Sequence, residues 1–228
     1  MSEKLYLFKG DQYVQCDVAS RRVDYGYPRK IGDDWTGLSH YNWSANGHDV
    51  PVFLLDRNVV ASPSKDQFVW FYLRNEGYLW LIQYDLTDDT AGYINNASLE
   101  YEPIASQSFV DNISAARYFE DDLYLFSENQ SMIKRSGSNV LENAVFQNTA
   151  TMPHLPAGYT DNFDAVVELE GKNTLFFKGG NCFVYSAVPE PQPISSMWIG
   201  TDKIGFDRDI DAACVLPAEK SSYLKSNT

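Results

Sequence analysis

The side chains best equipped for chemistry in this chain are few and scattered. Its three cysteines, Cys16, Cys182 and Cys214, are an odd number without C-x-x-C spacing. That pattern supports neither a zinc site nor a disulfide framework. Cys16 and Cys182 each follow a short turn segment, within or close to a second strand, and read as packing residues. There is no G-x-S-x-G, no H-E-x-x-H and no phosphate-cradling glycine loop, so the common hydrolase and nucleotide-binding chemistries have no local signature. The acidic runs Glu120-Asp121-Asp122 and Asp88-Asp89 read as solvated turns. No enzyme is expected. Recognition chemistry is better represented: Tyr41 and Trp43 offer flat apolar faces, and Asn42, Asn46 and His48 add planar hydrogen-bonding groups beside them. Such a mixture suits a lectin-like sugar site. The competing reading is that Trp43 anchors its loop to the core.

Charge narrows the partners. The formal net charge of the 228-residue chain is −13. A surface this acidic repels phosphate backbones and attracts cations, so nucleic acid is not an expected partner. No stretch is long and apolar enough to span a membrane. Met1 to Lys9 reads as a strand, with no charged-then-apolar leader, and the expected location is the cytoplasm or a storage compartment. The Asn-x-Ser sequons at Asn42, Asn96, Asn112 and Asn129 matter only if the chain is secreted.

The elements that must carry these residues are repeated. Leu5 to Val14 reads as strand, tight turn, strand, and Phe71 to Tyr78, Leu123 to Gln130 and Thr174 to Val184 have the same form. Aromatic residues make up 14% of the chain, which favours strands throughout. A second element belongs with three of these hairpins: Ile113-Ser-Ala-Ala116, Phe163-Asp-Ala-Val166 and Ile210-Asp-Ala-Ala213, with Asn58 to Ala61 as a looser counterpart before the second hairpin. Small residues at matched places suit strands crowded around an axis. A third element is the most specific. Pro28, Ile31, Trp35 and Gly37 recur with the same spacing as Pro191, Ile194, Trp198 and Gly200. In the third unit this pattern is expected to be replaced by Met152 to Gly158.

Four units of about 50 residues fit a propeller. The expected fold is all-β, a four-bladed β-propeller whose first blade joins the N- and C-terminal strands and so leaves no free sheet edge. Residues 1–228 then form one domain: blade 1 from 4–38 plus 207–220, blade 2 from 39–110 with an extra loop, blade 3 from 111–160 and blade 4 from 161–206. A β-sandwich with strands at similar intervals is the rival, and it leaves the Pro-Ile-Trp-Gly recurrence unexplained.

At these residues the chain resembles a known family. Tyr6 to Val14, then Gly26-Tyr-Pro-Arg-Lys-Ile31 and Trp35-Thr-Gly-Leu38, resemble a hemopexin repeat, and Ile-Asp-Ala-Ala resembles the start of its innermost strand. The resemblance is carried by 4–38 and 161–220, less by 111–160 and least by 39–110. The length is similar to the plant albumin-2 group. What the resemblance implies is a binding protein with an ion, Ca2+ or Na+ with chloride, held in the central channel by main-chain groups at the inner-strand starts. By position these are Ser114, Asp164, Asp211 and Val60, and backbone carbonyls suit hard cations. The albumin-2 likeness further implies polyamine and haem binding, with a homodimer state. A haem would want an axial histidine, and the chain has only His40, His48 and His154. The alternative is a lectin-like or toxin-like defence protein that recognises a glycan or receptor through Tyr41, Trp43 and His48 on the blade 2 loop.

Overall fold

Strand alternation in the first hairpin sets the plan of the molecule. In Glu3–Lys9 (β1) and Gln12–Asp17 (β2), Leu5, Leu7, Val14 and Cys16 face one way, and Tyr6, Phe8 and Tyr13 face the other. Both faces are buried, so the strands read as continuous apolar runs rather than as an inside-outside alternation. A sheet apolar on both faces needs a neighbour on each side, and a ring of blades supplies them.

The computed structural model describes residues 3–35, 59–61, 64–65, 67–75, 78–88, 90–96, 107–119, 122–134, 144–169, 171, 173–186 and 189–221. After β2, Arg22–Val23 (β3) and Arg29–Lys30 (β4) pair with its two ends, and Ile31–Asp34 (α1) follows. The second sheet contains Val59–Ala61 (β5), Ser64–Lys65 (β6), Phe68–Asn75 (β7), Tyr78–Asp85 (β8) and Thr90–Asn96 (β9), in the order β5-β7-β8-β9 with β6 on β7. A short helix, Gln107–Asp111 (α2), leads into the third. That sheet runs through Ile113–Phe119 (β10), Asp122–Ser127 (β11), Gln130–Lys134 (β12) and Ala144–Gln147 (β13), and Asn148–Thr151 (α3) follows. The fourth has Ala165–Leu169 (β14), Asn173–Lys178 (β15), Asn181–Val184 (β16) and Gln192–Pro193 (β17), then Ile194–Met197 (α4). Finally Ala212–Pro217 (β18) returns to pair antiparallel with β1, from Glu3↔Pro217 to Phe8↔Ala212, before Ala218–Ser221 (α5). The expected four-bladed all-β propeller, with its first blade closed by strands from both ends of the chain, is the observed architecture.

Four apolar clusters fill the four gaps between blades. One packs Tyr6, Phe8 and Trp35 against Phe71 and Tyr84 of blade 2. A second sets Leu5, Leu7 and Cys16 against Leu175, Phe177 and Trp198 of blade 4. Tyr72 meets Leu123 and Leu125 in the third, and Phe126 meets Phe163 and Phe176 in the fourth. Ala115, Ala116, Ala165, Ala212 and Ala213 are buried on the inner strands, where bulk would collide. Among the described residues no helix is long and apolar enough to cross a membrane.

The Pro-Ile-Trp-Gly pattern has a mechanical explanation. The N–H groups of Ile31, Asn148 and Ile194 donate to the carbonyls of Asp11, Asn129 and Gly180, the second residue of each hairpin turn. Four residues on, the N–H groups of Trp35, Met152 and Trp198 donate back to the same three residues, closing one helical turn. The blade 3 turn is therefore Asn148–Thr151, with Met152 in the tryptophan's place, and it starts before the segment expected from sequence. Asn148 disguises it: a fully buried amide stands where the other blades have isoleucine, and its Nδ2 donates to the carbonyls of Glu128 and Thr160. Gly200 closes the pattern at φ 99°, in the left-handed region, where an added Cβ would also meet Val23 at 3.6 Å. Beside it, Ile199 exchanges backbone hydrogen bonds with Arg21 and Val23 and so ties blade 4 to blade 1.

The turn after β2 carries a pH-dependent contact. Asp17 accepts from the backbone N–H and the hydroxyl of Ser20, both at 2.8 Å, and from Lys4 Nζ at 3.1 Å. These donors, the Ser20 backbone first, lower its carboxyl to about 2 from an ordinary 3.8. A depressed folded-state pKa contributes stability above the unfolded value and loses it as pH falls through the folded one. Asp17→Asn is expected to lower the urea midpoint at neutral pH, with the difference closing as the pH approaches 2. An equal loss at both pH values would assign the effect to the hydrogen bonds alone.

The central channel as candidate functional site

The inner strands β5, β10, β14 and β18 pack around one axis, and their starts form one mouth of a channel. Each later start is built alike. Ile113, Phe163 and Ile210 are buried anchors, and the next residue in each case is Ser114, Asp164 or Asp211. The residues before Phe163 and Ile210, Asn162 and Asp209, hold φ at 46° and 52°. Asn and Asp tolerate this left-handed conformation better than most residues. Asp164 and Asp211 each donate a backbone N–H to the hairpin strand alongside, at Phe177 and Phe8, both at 2.9 Å. Their carboxylates turn to the hairpin tips: Asp164 accepts from Gly179 N–H at 2.5 Å and Asp211 from Gly10 N–H at 2.6 Å. Ser114 and Val60 instead sit where the register of β10 on β11 and of β5 on β7 shifts, an unpaired bulge position. The four residues singled out from sequence thus occupy corresponding places at the strand starts.

The mouth is electrostatically loaded. Burial, above all, raises the Asp164 and Asp211 carboxyls, and nearby Asp209 raises both further. Two lysines hold the loops around them. Lys178 Nζ donates to the carbonyls of Gly158 and Asp161 and pairs with the Asp161 carboxylate at 2.6 Å. Lys9 makes the corresponding bonds to the carbonyls of Gly205 and Arg208. Among the described residues no group of three His, Cys, Asp or Glu side chains is placed to hold a metal ion. With the carboxylates committed to glycine N–H groups, a cation here would be held by main-chain oxygens, which fits a hard ion such as calcium or sodium.

Further along the channel lies a group that sequence reasoning missed. Arg117 on β10 pairs with Glu168 on β14 at 2.6 Å, joining blade 3 to blade 4. Its guanidinium lies 4.9 Å from the Phe119 ring centre and 4.7 Å from that of Tyr124. A signal was present: Arg117 and Glu168 are the charges inside Ala115-Ala116-Arg117 and Val166-Val167-Glu168, strands otherwise suited to burial.

The remaining candidates are not brought to this site. Tyr41, Trp43, His40 and His48 lie outside the described residues. His154 is exposed, its ring 6.5 Å from that of Tyr185. Cys16, Cys182 and Cys214 are buried and not joined in disulfides, and burial pushes the thiols of Cys16 and Cys182 up to about 12.

Comparison with known proteins follows the same lines. The Hemopexin family profile matches residues 1–40. No curated protein matches by sequence. Among solved structures, a seed albumin from Lathyrus sativus, LS24, superposes with a TM-score of 0.65 at 17% identity, over 87% of this chain and 91% of its own. A 2S albumin seed protein from Dolichos gives 0.62 at 16%, covering 88% and 93%. A plant albumin from Cicer arietinum described as showing hemagglutination gives 0.63 at 16%, covering 88% and 92%. Residues 1–40 are thus similar by sequence to a hemopexin repeat, and the ring of four blades shares the fold of these seed albumins.

Proposed function

We propose that this chain is a binding protein that takes a small cation at the Asp164–Asp211 mouth of its channel. The observation that carries the reading is the gathering of Asp164, Asp209 and Asp211 at one mouth, where Asp209 raises the proton affinity of both Asp164 and Asp211, and Asp211 that of Asp164. A cation would relieve that repulsion. Main-chain oxygens at Val60, Ser114, Asp164 and Asp211 suit Ca2+ or Na+, with chloride as counter-ion, and the primary ammonium of a polyamine such as spermine can donate to the same oxygens. Haem and a homodimer belong to the same albumin-like reading and are tested beside it, by haemin titration and by light scattering.

The deciding experiment is isothermal titration of metal-stripped protein with calcium and with spermine. Binding in the micromolar range is expected with one of them. Asp164→Asn or Asp211→Asn keeps an acceptor for the glycine N–H and removes a charge, and each should weaken binding about tenfold, equivalent to about 1.4 kcal/mol. Because both carboxyls hold their protons more tightly than an ordinary aspartate, affinity should begin to fall before the pH has dropped to the ordinary carboxylate value. No heat with either ligand would sink the cation reading. It would leave the glycan reading at Tyr41, Trp43 and His48, which the hemagglutination named for the Cicer protein favours; a glycan array with a 39–48 deletion then decides.

A further inference from the structure

At the far end of the inner strands the channel holds a second polar feature, independent of the mouth. Ser64, Arg117, Val166, Glu168 and Val215 line a void of about 20 Å³ open to the centre of a water molecule. That is room for one water. Around it the hydrogen bonding is lopsided. Glu168 Oε2 accepts from Arg117 Nη1 at 2.6 Å and from Thr174 Oγ1 at 2.9 Å, and Ser64 Oγ donates to the Val215 carbonyl at 2.6 Å. The Arg117 side chain is only 9% exposed, yet among the described residues its Nε–H has no partner, and neither has the buried Glu168 Oε1. One side chain lacks an acceptor and the other lacks a donor.

The charges around the void decide what can fill it. A cation taken up by Glu168 would lie against the Arg117 guanidinium. An anion taken up by Arg117 would lie against the Glu168 carboxylate. Either would compete with an ion pair held in low dielectric and leave the displaced partner uncompensated. A neutral molecule that donates one hydrogen bond and accepts another meets both needs after a small turn of the carboxylate. We infer that this end of the channel is a binding site for one water molecule bridging Arg117 and Glu168, and that the pair bars ions from it. The channel is then a cup rather than a pore: a cation that enters at the Asp164–Asp211 mouth does not pass through, and a linear polyamine does not thread it.

The test is crystallographic, on the full chain, with crystals soaked in bromide and in rubidium and read by anomalous scattering. Density for a single water within hydrogen-bond reach of Arg117 Nε and Glu168 Oε1, with no anomalous peak, is expected. Glu168→Gln keeps the hydrogen bonds and removes the negative charge, so a bromide peak should then appear beside Arg117. A bromide or rubidium peak there in the unaltered protein overturns the inference, as does a void without density. Should the variant fold but admit no bromide, Glu168 is not the barrier. Should it fail to fold, the unaltered crystals still decide, whatever ion the mouth holds.

Discussion

Removing residues 207–228 is expected to leave a chain with no cooperative unfolding transition. The deletion takes away β18, and with it the inner strand of blade 1 and the partner of β1 from Glu3 to Phe8. Ile210 and Ala213 leave the cluster between blades 4 and 1, and Ala212, Cys214 and Leu216 leave the one between blades 1 and 2. Full burial of one large aliphatic side chain is worth about 1.5–3 kcal/mol, so Ile210 and Leu216 alone account for about 3–6. A domain's whole stability is about 5–15 kcal/mol. The truncation also exposes β1 as a bare apolar edge, which invites association with other chains. Thermal melting followed by far-ultraviolet circular dichroism, with light scattering, reads both effects. A sharp transition near that of the full chain would show that the ring does not depend on its closing strand.

The second large effect is expected from a single side chain. Trp35 is fully buried and meets the rings of Tyr6, Phe8 and Tyr13 in its own blade and of Phe71 and Tyr84 in the next, all edge-on at 5.2–6.0 Å. Trp35→Ala removes the centre of that group and leaves a cavity between two blades. Phe or Trp to Ala in a core costs about 3–5 kcal/mol, which at about 2–4 °C per kcal/mol is a fall of roughly 10 °C in Tm. Trp198→Ala should behave similarly, because Trp198 fills the corresponding place between blades 4 and 1. Phe146→Ala, at a residue 40% exposed, is the control and should change little. Urea denaturation measures all three. A loss below about 1 kcal/mol for Trp35→Ala would mean that blades 1 and 2 repack around the hole.

The ring was legible in the sequence because its closure depends on repeated apolar residues at repeated places. Trp35 and Trp198 are recognisable because both close a helical turn and fill an inter-blade gap. Ala115, Ala165 and Ala212 are small because the axis leaves little room. The blade 3 turn escaped notice because Asn148 performs by hydrogen bonds what isoleucine performs by packing elsewhere. At the mouth, Asp164 and Asp211 stand out as a repeated Asp-Ala, but the pairing of each with a hairpin glycine joins residues distant in sequence. Arg117 and Glu168 escaped for a related reason: each occurs once, in a different blade, and only the packing of β10 against β14 makes them a pair.

The closing strand has one more consequence, which concerns force. Because β1 and β18 run antiparallel with Glu3 opposite Pro217, tension drawn between those two residues bears on the outermost rung first. The rungs then share the load in succession rather than together, as in a zipper pulled from its open end. Tension drawn along the strand axis, from Glu3 against Ala212, would load every rung at once. The same seam that completes the ring is weak when peeled and strong when sheared, so the molecule's resistance to pulling depends on where it is held.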